Sequence, residues 1–253
     1  MCNVQLVELN NDMLEGIGSY CLRSKKKSAG YMNKSSWLND RFEEGLKYVQ
    51  LIENQKQLGF IEYTEAEFSS RVVHADGYLV IHCLWVSEVG KGYGTQLINK
   101  CLDDARKLSK KGVVVVTNSK TSWAPSKDIF LNNHFAVVDT APYDFELLAY
   151  KFNNETVNPY FPHDWSERTK KFNNLTILRS FQCPYVEIAT ENMMAGANKL
   201  GIDLDIIDIK NRQELMAISP TPYGIFSVIF KGQLITFHRL TVHSVVKKLK
   251  ELM

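Results

Sequence analysis

Apolar residues in this chain change period at definite points, and those points predict its elements. Residues 78–86, Tyr-Leu-Val-Ile-His-Cys-Leu-Trp-Val, are apolar on both faces, as a strand buried inside a sheet requires. Beyond a polar, glycine-bearing stretch, Leu97, Ile98, Cys101, Leu102 and Ala105 fall at helical spacing and predict an amphipathic helix over 95–109. A β-run follows at 112–118, then a short helix at 126–132 and a strand at 135–139. Upstream, 5–9 reads as a strand and Asn11-Asp12 as the cap of a helix running to about residue 22. A polar loop over 23–35 leads to a second helix at 36–44. Residues 48–53 and 58–64 form a strand pair about the turn Asn54-Gln55-Lys56. The predicted order is β-α-α-β-β-β-α-β-α-β.

That pattern then breaks. Residues 153–174 are polar and carry Pro159 and Pro162, which predicts a linker between a first domain at 1–152 and a second at 175–253. In the second, strands at 175–179 and 203–208 alternate with helices at 184–199 and 211–218. A hairpin of 225–230 and 234–238 about Lys231-Gly232-Gln233, and a closing helix at 242–252, complete a β-α-β-α-β-β-α order.

Composition narrows the classes. A chain of 253 residues suffices for one large or two small domains. Thirty basic against 28 acidic residues give a net charge of +2, which predicts no nucleic-acid surface, and Lys25-Lys26-Lys27 reads as a solvated loop. No apolar run reaches membrane-spanning length, and the first residues lack the basic-then-apolar pattern of a secretion signal. Cys2, Cys21, Cys83, Cys101 and Cys183 show no C-x-x-C or metal-ligand spacing, and their odd number suits reduced thiols in a cytoplasm. The scattered histidines suggest no metal site either.

The chemistry lies between the strand 78–86 and the helix after it. Gly90, Gly92 and Gly94 stand at alternate positions, so the backbone there can approach a bulky anion. The first N–H groups of the helix lack intrahelical partners, and the helix dipole favours negative charge beside them. Spacing excludes two common phosphate cradles. Lys91 lies between glycines with no Ser or Thr after it, unlike a Walker loop, and the third glycine comes one residue early for a dinucleotide fingerprint.

The segment resembles the acetyl-CoA pyrophosphate loop of the GNAT acetyltransferase superfamily, Gln/Arg-x-x-G-x-G/A. Gly92 and Gly94 fill the glycine positions, and Val89 stands where the family has Arg or Gln. The order of elements over 45–152 is similar as well. The resemblance implies an α/β (α+β) chain: a GNAT fold with a central mixed, splayed β-sheet, followed by a smaller α/β domain. It implies acetyl-CoA as cosubstrate, held by Leu84, Trp85 and Val86 along the strand and by Val89, Gly90, Lys91, Gly92, Tyr93, Gly94 and Thr95 at the loop. Asn118, ending the next strand, joins that set. In the family the segment between the first and second strands, here 11–45 with Tyr31, Trp37 and Arg41, shapes the acceptor pocket.

Acetyl transfer to an amine must remove a proton from the nucleophile and supply one to the departing thiolate. The thioester oxygen needs a donor, and a backbone N–H near Val86 would serve. His82, four residues before Val86 on the same face, titrates in the useful range and is the candidate base; a buried histidine bonded within the sheet is the competing reading. Glu88 is a second candidate. The family's tyrosine acid falls at Phe130, which has no proton to give, so Tyr143, Cys83 or water is left to protonate the thiolate.

The second half resembles a thioredoxin-like domain. Cys183-Pro-Tyr-Val186 is similar to a glutaredoxin C-P-Y-C motif with Val186 as the second cysteine, and Pro222 stands where a cis-proline would face it. A thiol before a helix can be activated, so Cys183 is a candidate monothiol site, substrate contact or space filler. Together the halves resemble YoaP-type GNAT proteins. The expectation is an acetyl-CoA-dependent N-acetyltransferase whose small-molecule or peptide amine attacks the thioester directly, with the second domain holding or gating the acceptor. The alternative is a noncatalytic acyl-CoA-binding or thiol-sensing protein.

Overall fold

The computed structural model describes residues 4–253; Cys2 lies outside the described residues. The first half is a seven-stranded sheet of β1 (Gln5–Leu9), β2 (Lys47–Glu53), β3 (Lys56–Glu65), β4 (Tyr78–Val86), β5 (Gly112–Asn118), β6 (Ala136–Ala141) and β7 (Phe145–Lys151). Their spatial order is β1-β2-β3-β4-β5-β7-β6, antiparallel throughout except for the parallel pair β4/β5. Four helices belong to this half: α1 (Asn11–Gly16), α2 (Ala29–Glu43), α3 (Tyr93–Lys107) and α4 (Lys127–Leu131). The buried stripe of α3, Leu97, Ile98, Cys101, Leu102 and Ala105, packs on one sheet face with Ile61, Ile81 and Val115.

Strand β4 carries two irregularities. It pairs with β5 only over Tyr78–Ile81, so residues 83–86 have ladder partners on β3 alone. On the β3 side the register slips, with Glu62 opposite Cys83 but Tyr63 opposite Ile81, which leaves His82 as the extra residue of a β-bulge. Bulges bend a strand and re-aim a side chain, and here that side chain is a histidine.

Three features depart from the sequence reading. The strand β7 was not anticipated; Tyr143 and Asp144 both adopt left-handed backbone (φ 68° and 64°) and turn the chain back between β5 and β6. Helix α1 is capped by Asn10, whose Oδ1 accepts from the Met13 N–H at 2.9 Å, and it ends at Gly16 rather than near residue 22. Helix α2 begins at Ala29 beneath the Ser28 cap, inside the expected loop. The polar look of 23–35 misled because Lys34 points inward, its charge balanced by a partner distant in sequence.

The second half contains α5 (Trp165–Lys170), β8 (Leu175–Arg179), α6 (Val186–Asn198), β9 (Leu204–Asp208), α7 (Arg212–Ile218), β10 (Phe226–Phe230), β11 (Gln233–Thr236) and α8 (Val242–Lys250). Its four strands are ordered β11-β10-β8-β9, with β8/β9 parallel and the other pairs antiparallel. The halves share one core, which runs from Val114, Val116, Phe145 and Leu147 to Ile177, Val228 and Phe226. Residues 153–174 are no free tether. Phe161 and Trp165 are buried in that core, and Tyr160 exchanges two backbone hydrogen bonds with His74 at 2.8 and 3.0 Å. Pro222 is not a cis-proline, since no cis peptide bond occurs among the described residues. Its carbonyl instead accepts from the Val72 N–H at 3.0 Å, which pins this segment to the first half.

Candidate active site

The loop between β4 and α3 is open and shaped by glycine. Gly90 and Gly92 have φ of 79° and 74°, a left-handed conformation that side-chain-bearing residues adopt at a penalty, and a Cβ at either would meet nothing within 4 Å. Gly92 is the N-cap of α3, no side chain caps the helix, and the Gln96 N–H closes the first turn on the Gly92 carbonyl at 3.0 Å. An uncapped helix start behind an unobstructed loop fits a pyrophosphate. Gly94 has a different reason. A Cβ there would lie 2.1 Å from Ile129 Cδ1, so this glycine lets α4 pack on α3. Val89 is 95 % exposed, and Glu88 and Lys91 are exposed beside it, which puts Glu88 outside any enclosed reaction site. Thr95 Oγ1 accepts from Asn133 Nδ2 at 3.3 Å.

Leu84 faces the α3 side of the sheet, where Val86 and Tyr93 also pack, while Cys83 packs against the opposite cluster. Trp85 is half-exposed and lies 4.6 Å from the Tyr20 ring. Across the gap, Asn118 Nδ2 donates to the Tyr143 carbonyl at 2.7 Å, and its Oδ1 accepts from the Lys120 N–H at 2.8 Å. Asn118 and Tyr143, singled out separately, thus meet at the rim. Phe130 is buried edge-on against Phe135 at 5.3 Å, so nothing at that position donates a proton.

Behind β4 lies a buried polar network that sequence reasoning missed. Lys34 Nζ, from α2, is 2.5 Å from Glu62 Oε2 on β3. Glu62 Oε1 accepts from Gln182 Nε2 at 2.9 Å and faces His82 Nδ1 at 3.3 Å. Gln182 in turn accepts at 2.6 Å from Arg71 NH1, whose guanidinium stacks 4.6 Å over Tyr223 and also donates to the His82 carbonyl. Burial pushes the Glu62 carboxyl up, but Lys34 and His82 outweigh it and hold it at about 2. One signal was available: a carboxylate in the middle of the apolar strand 58–64 demands a buried partner.

His82 is fully committed. Its Nε2 accepts from the Ser70 N–H at 2.9 Å and lies 3.2 Å from Ser69 Oγ, which leaves the ring proton on Nδ1 for Glu62. Burial lowers its pKa to about 4, against the opposing pull of Glu62. The bonded, neutral histidine is therefore what the geometry contains, and no lone pair is free to take a proton from a substrate.

Between the halves is a narrow cavity of ≈ 40 Å³. Lys34, Glu62, Cys83 and Trp123 line it from the first half, and Cys183 and Tyr223 from the second. Ser19, also lining it, is buried with an Oγ that has no hydrogen-bond partner. Cys183 precedes α6, but burial raises its thiol to about 11, the opposite of the activation that a helix start can give. Cys21 borders the same cavity and is pushed up to about 12 by burial and by Cys183. Of the segment 11–45, Trp37 stacks 4.4 Å from Lys34 Nζ, Tyr31 is buried, and Arg41 pairs with Glu44 at 2.8 Å. No group of residues suited to a metal occurs among the described residues.

Residues 17–123 match the model of the acetyltransferase (GNAT) family, a span that takes in the glycine loop, Glu62 and His82. The chain carries a GNAT acetyltransferase domain. Over 250 residues, which include that domain, the chain is 28% identical to the uncharacterised N-acetyltransferase YoaP of Bacillus subtilis (strain 168), covering 97% of this chain and 98% of that protein. Solved structures similar to the first half include two N-acetyltransferases. PaiA N-acetyltransferase from Thermoplasma acidophilum in complex with coenzyme A has a TM-score of 0.44 and 15% identity, covering 59% of this chain and 99% of that one. N-acetyltransferase PseH from Campylobacter jejuni in complex with acetyl coenzyme A has a TM-score of 0.42 and 15% identity, covering 60% and 100%. No helix among the described residues is long and apolar enough to cross a membrane.

Proposed function

We propose that this GNAT-family N-acetyltransferase moves the acetyl group of acetyl-CoA to an amine held in the cavity between its halves. The observation that carries this reading is the parting of β4 from β5 after Ile81, with the open glycine loop at one end of the gap and the cavity against Cys83. The backbone of Leu84, Trp85 and Val86, unpaired on the β5 side, binds the pantetheine arm. The N–H groups around Gly90–Gly92 and the start of α3 take the pyrophosphate. A β4 N–H near Val86 receives the thioester oxygen as it gains charge. Glu62 stays anionic at neutral pH and orients the acceptor together with Lys34, while His82 and Gln182 position Glu62. The second half is read as a thioredoxin-like fold, in which Cys183 and Tyr223 act as cavity wall and gate rather than in redox chemistry.

Calorimetric titration with acetyl-CoA tests the cradle on wild type and on Gly92→Val. Micromolar binding that this variant loses, with its fold intact by circular dichroism, is the expected result. Equal binding by both proteins would remove the cradle from the reading.

A further inference from the structure

Among the described residues, the reaction site contains no proton acceptor in a usable state. Lys34 and Arg71 are two buried cations facing one anion, Glu62, and Arg71 has no carboxylate within ion-pair distance among the described residues. The Glu62 oxygens already accept from Lys34, Gln182 and His82, and both nitrogens of His82 are bonded. Burial keeps the thiols of Cys21, Cys83 and Cys183, and the phenols of Tyr48 and Tyr223, in their protonated forms. An alkylammonium entering this space meets surplus positive charge and nothing to deprotonate it.

Building on the acetyl-transfer reading above, we propose that the acceptor arrives uncharged: a weakly basic amine such as a peptide α-amino group, not a lysine-type alkylamine. The unpartnered Ser19 Oγ in the cavity wall offers such an amine a hydrogen-bond acceptor for one N–H. The chemistry then closes without an enzyme acid or base. The nitrogen lone pair forms the C–N bond, the C–S bond breaks with its electron pair on sulfur, and the surplus N–H proton passes to the CoA thiolate. Free amine plus acetyl-CoA gives amide plus CoA thiol with no proton left over. The same balance explains why Phe130, a residue with no proton, is tolerated beside Phe135.

The size of the preference follows from ordinary basicities. An α-amino group near pKa 8 and a lysine amine near 10.4 differ roughly 230-fold in free amine at pH 7. The test uses acetyl-CoA with alanyl-alanine amide and with Nα-acetyl-lysine amide as probes, following CoA release from pH 6 to 10. The expected result is a kcat/KM at pH 7 that favours the α-amine probe by at least 100-fold. In addition, log kcat/KM rises with unit slope and bends at each probe's own pKa. A bend at one fixed pH for both probes reveals an enzyme base and overturns the inference, as does equal acetylation of the lysine probe. Acetyl-CoA binding without turnover of the α-amine probe also overturns it and leaves the cradle standing. Failure to bind acetyl-CoA, measured separately by calorimetry, sinks the function itself.

Discussion

Replacing Gly30 with alanine isolates the contact that holds the second half against the acceptor site. Gly30 is the second residue of α2, and a Cβ there would sit 2.1 Å from the Pro184 carbonyl oxygen and 3.1 Å from its carbon. The obstacle is backbone, not the end of a flexible side chain, so α2 and the Cys183–Pro184 turn must separate by about 1 Å to regain normal contact. Overpacking of this kind costs about 1–3 kcal/mol, offset by up to about 1 kcal/mol from the better helix propensity of alanine. The net loss of stability is therefore about 0–3 kcal/mol. The larger effect falls on function, because Lys34 on α2 and Cys183 on the turn line the same cavity, and a displacement of about 1 Å can lower a rate about 100-fold. Acetyl-CoA affinity, set on the far side of β4, should stay within twofold of wild type. The assay pairs calorimetry with acetyl-transfer kinetics on whichever amine wild type accepts, and urea denaturation checks the fold. Unchanged kcat/KM in a stable Gly30→Ala protein would show that the turn does not wall the reacting centre.

Other outcomes rest on the same geometry. Stability should fall on acidification from pH 6.5 towards 4 at about 1.4 kcal/mol per pH unit from His82 alone, because its pKa is about 4 folded and 6.5 unfolded, so the unfolded chain binds the proton first. His82→Asn should remove that slope in denaturation curves, and persistence of the slope would assign it elsewhere. Glu62→Gln strands the Lys34 ammonium in the interior and should destabilise by about 3–5 kcal/mol; a loss below 1 kcal/mol would mean the pair is solvated. Gly94→Val should lower thermal stability through Ile129, whereas Gly92→Val should chiefly abolish acetyl-CoA binding; identical phenotypes would contradict their separate roles. Cys183→Ser should leave acetyl transfer within twofold, since its thiol is protonated at neutral pH, and a loss above tenfold would make the sulfur a participant.

Much of the fold was legible because hydrophobic period is a local signal. β1, β4, β5 and β8 have the expected limits, and α3 differs from expectation by two residues at each end. The misses cluster where a local signal was overridden. The loop expected at 23–35 is half helix because Lys34 is neutralised by Glu62, 28 residues away. β7 went unseen because its placement depends on a turn at Tyr143 and Asp144 that two non-glycine residues make in left-handed backbone.

The sequence by itself determined the alternation of strands and helices, the glycine loop before α3 and the absence of a proton donor at position 130, all properties of short segments. Tertiary structure alone decided which charges meet. His82 reads in isolation either as a base or as a bonded, buried histidine, and a bulge opposite Glu62 together with the Ser70 N–H makes it a neutral, fully bonded side chain. Cys183 reads as a monothiol site, a substrate contact or a space filler, and the desolvated cavity wall that raises its pKa separates these readings. Protonation depends on desolvation and on partners brought together by folding, and neither quantity is written in the spacing of residues along a chain.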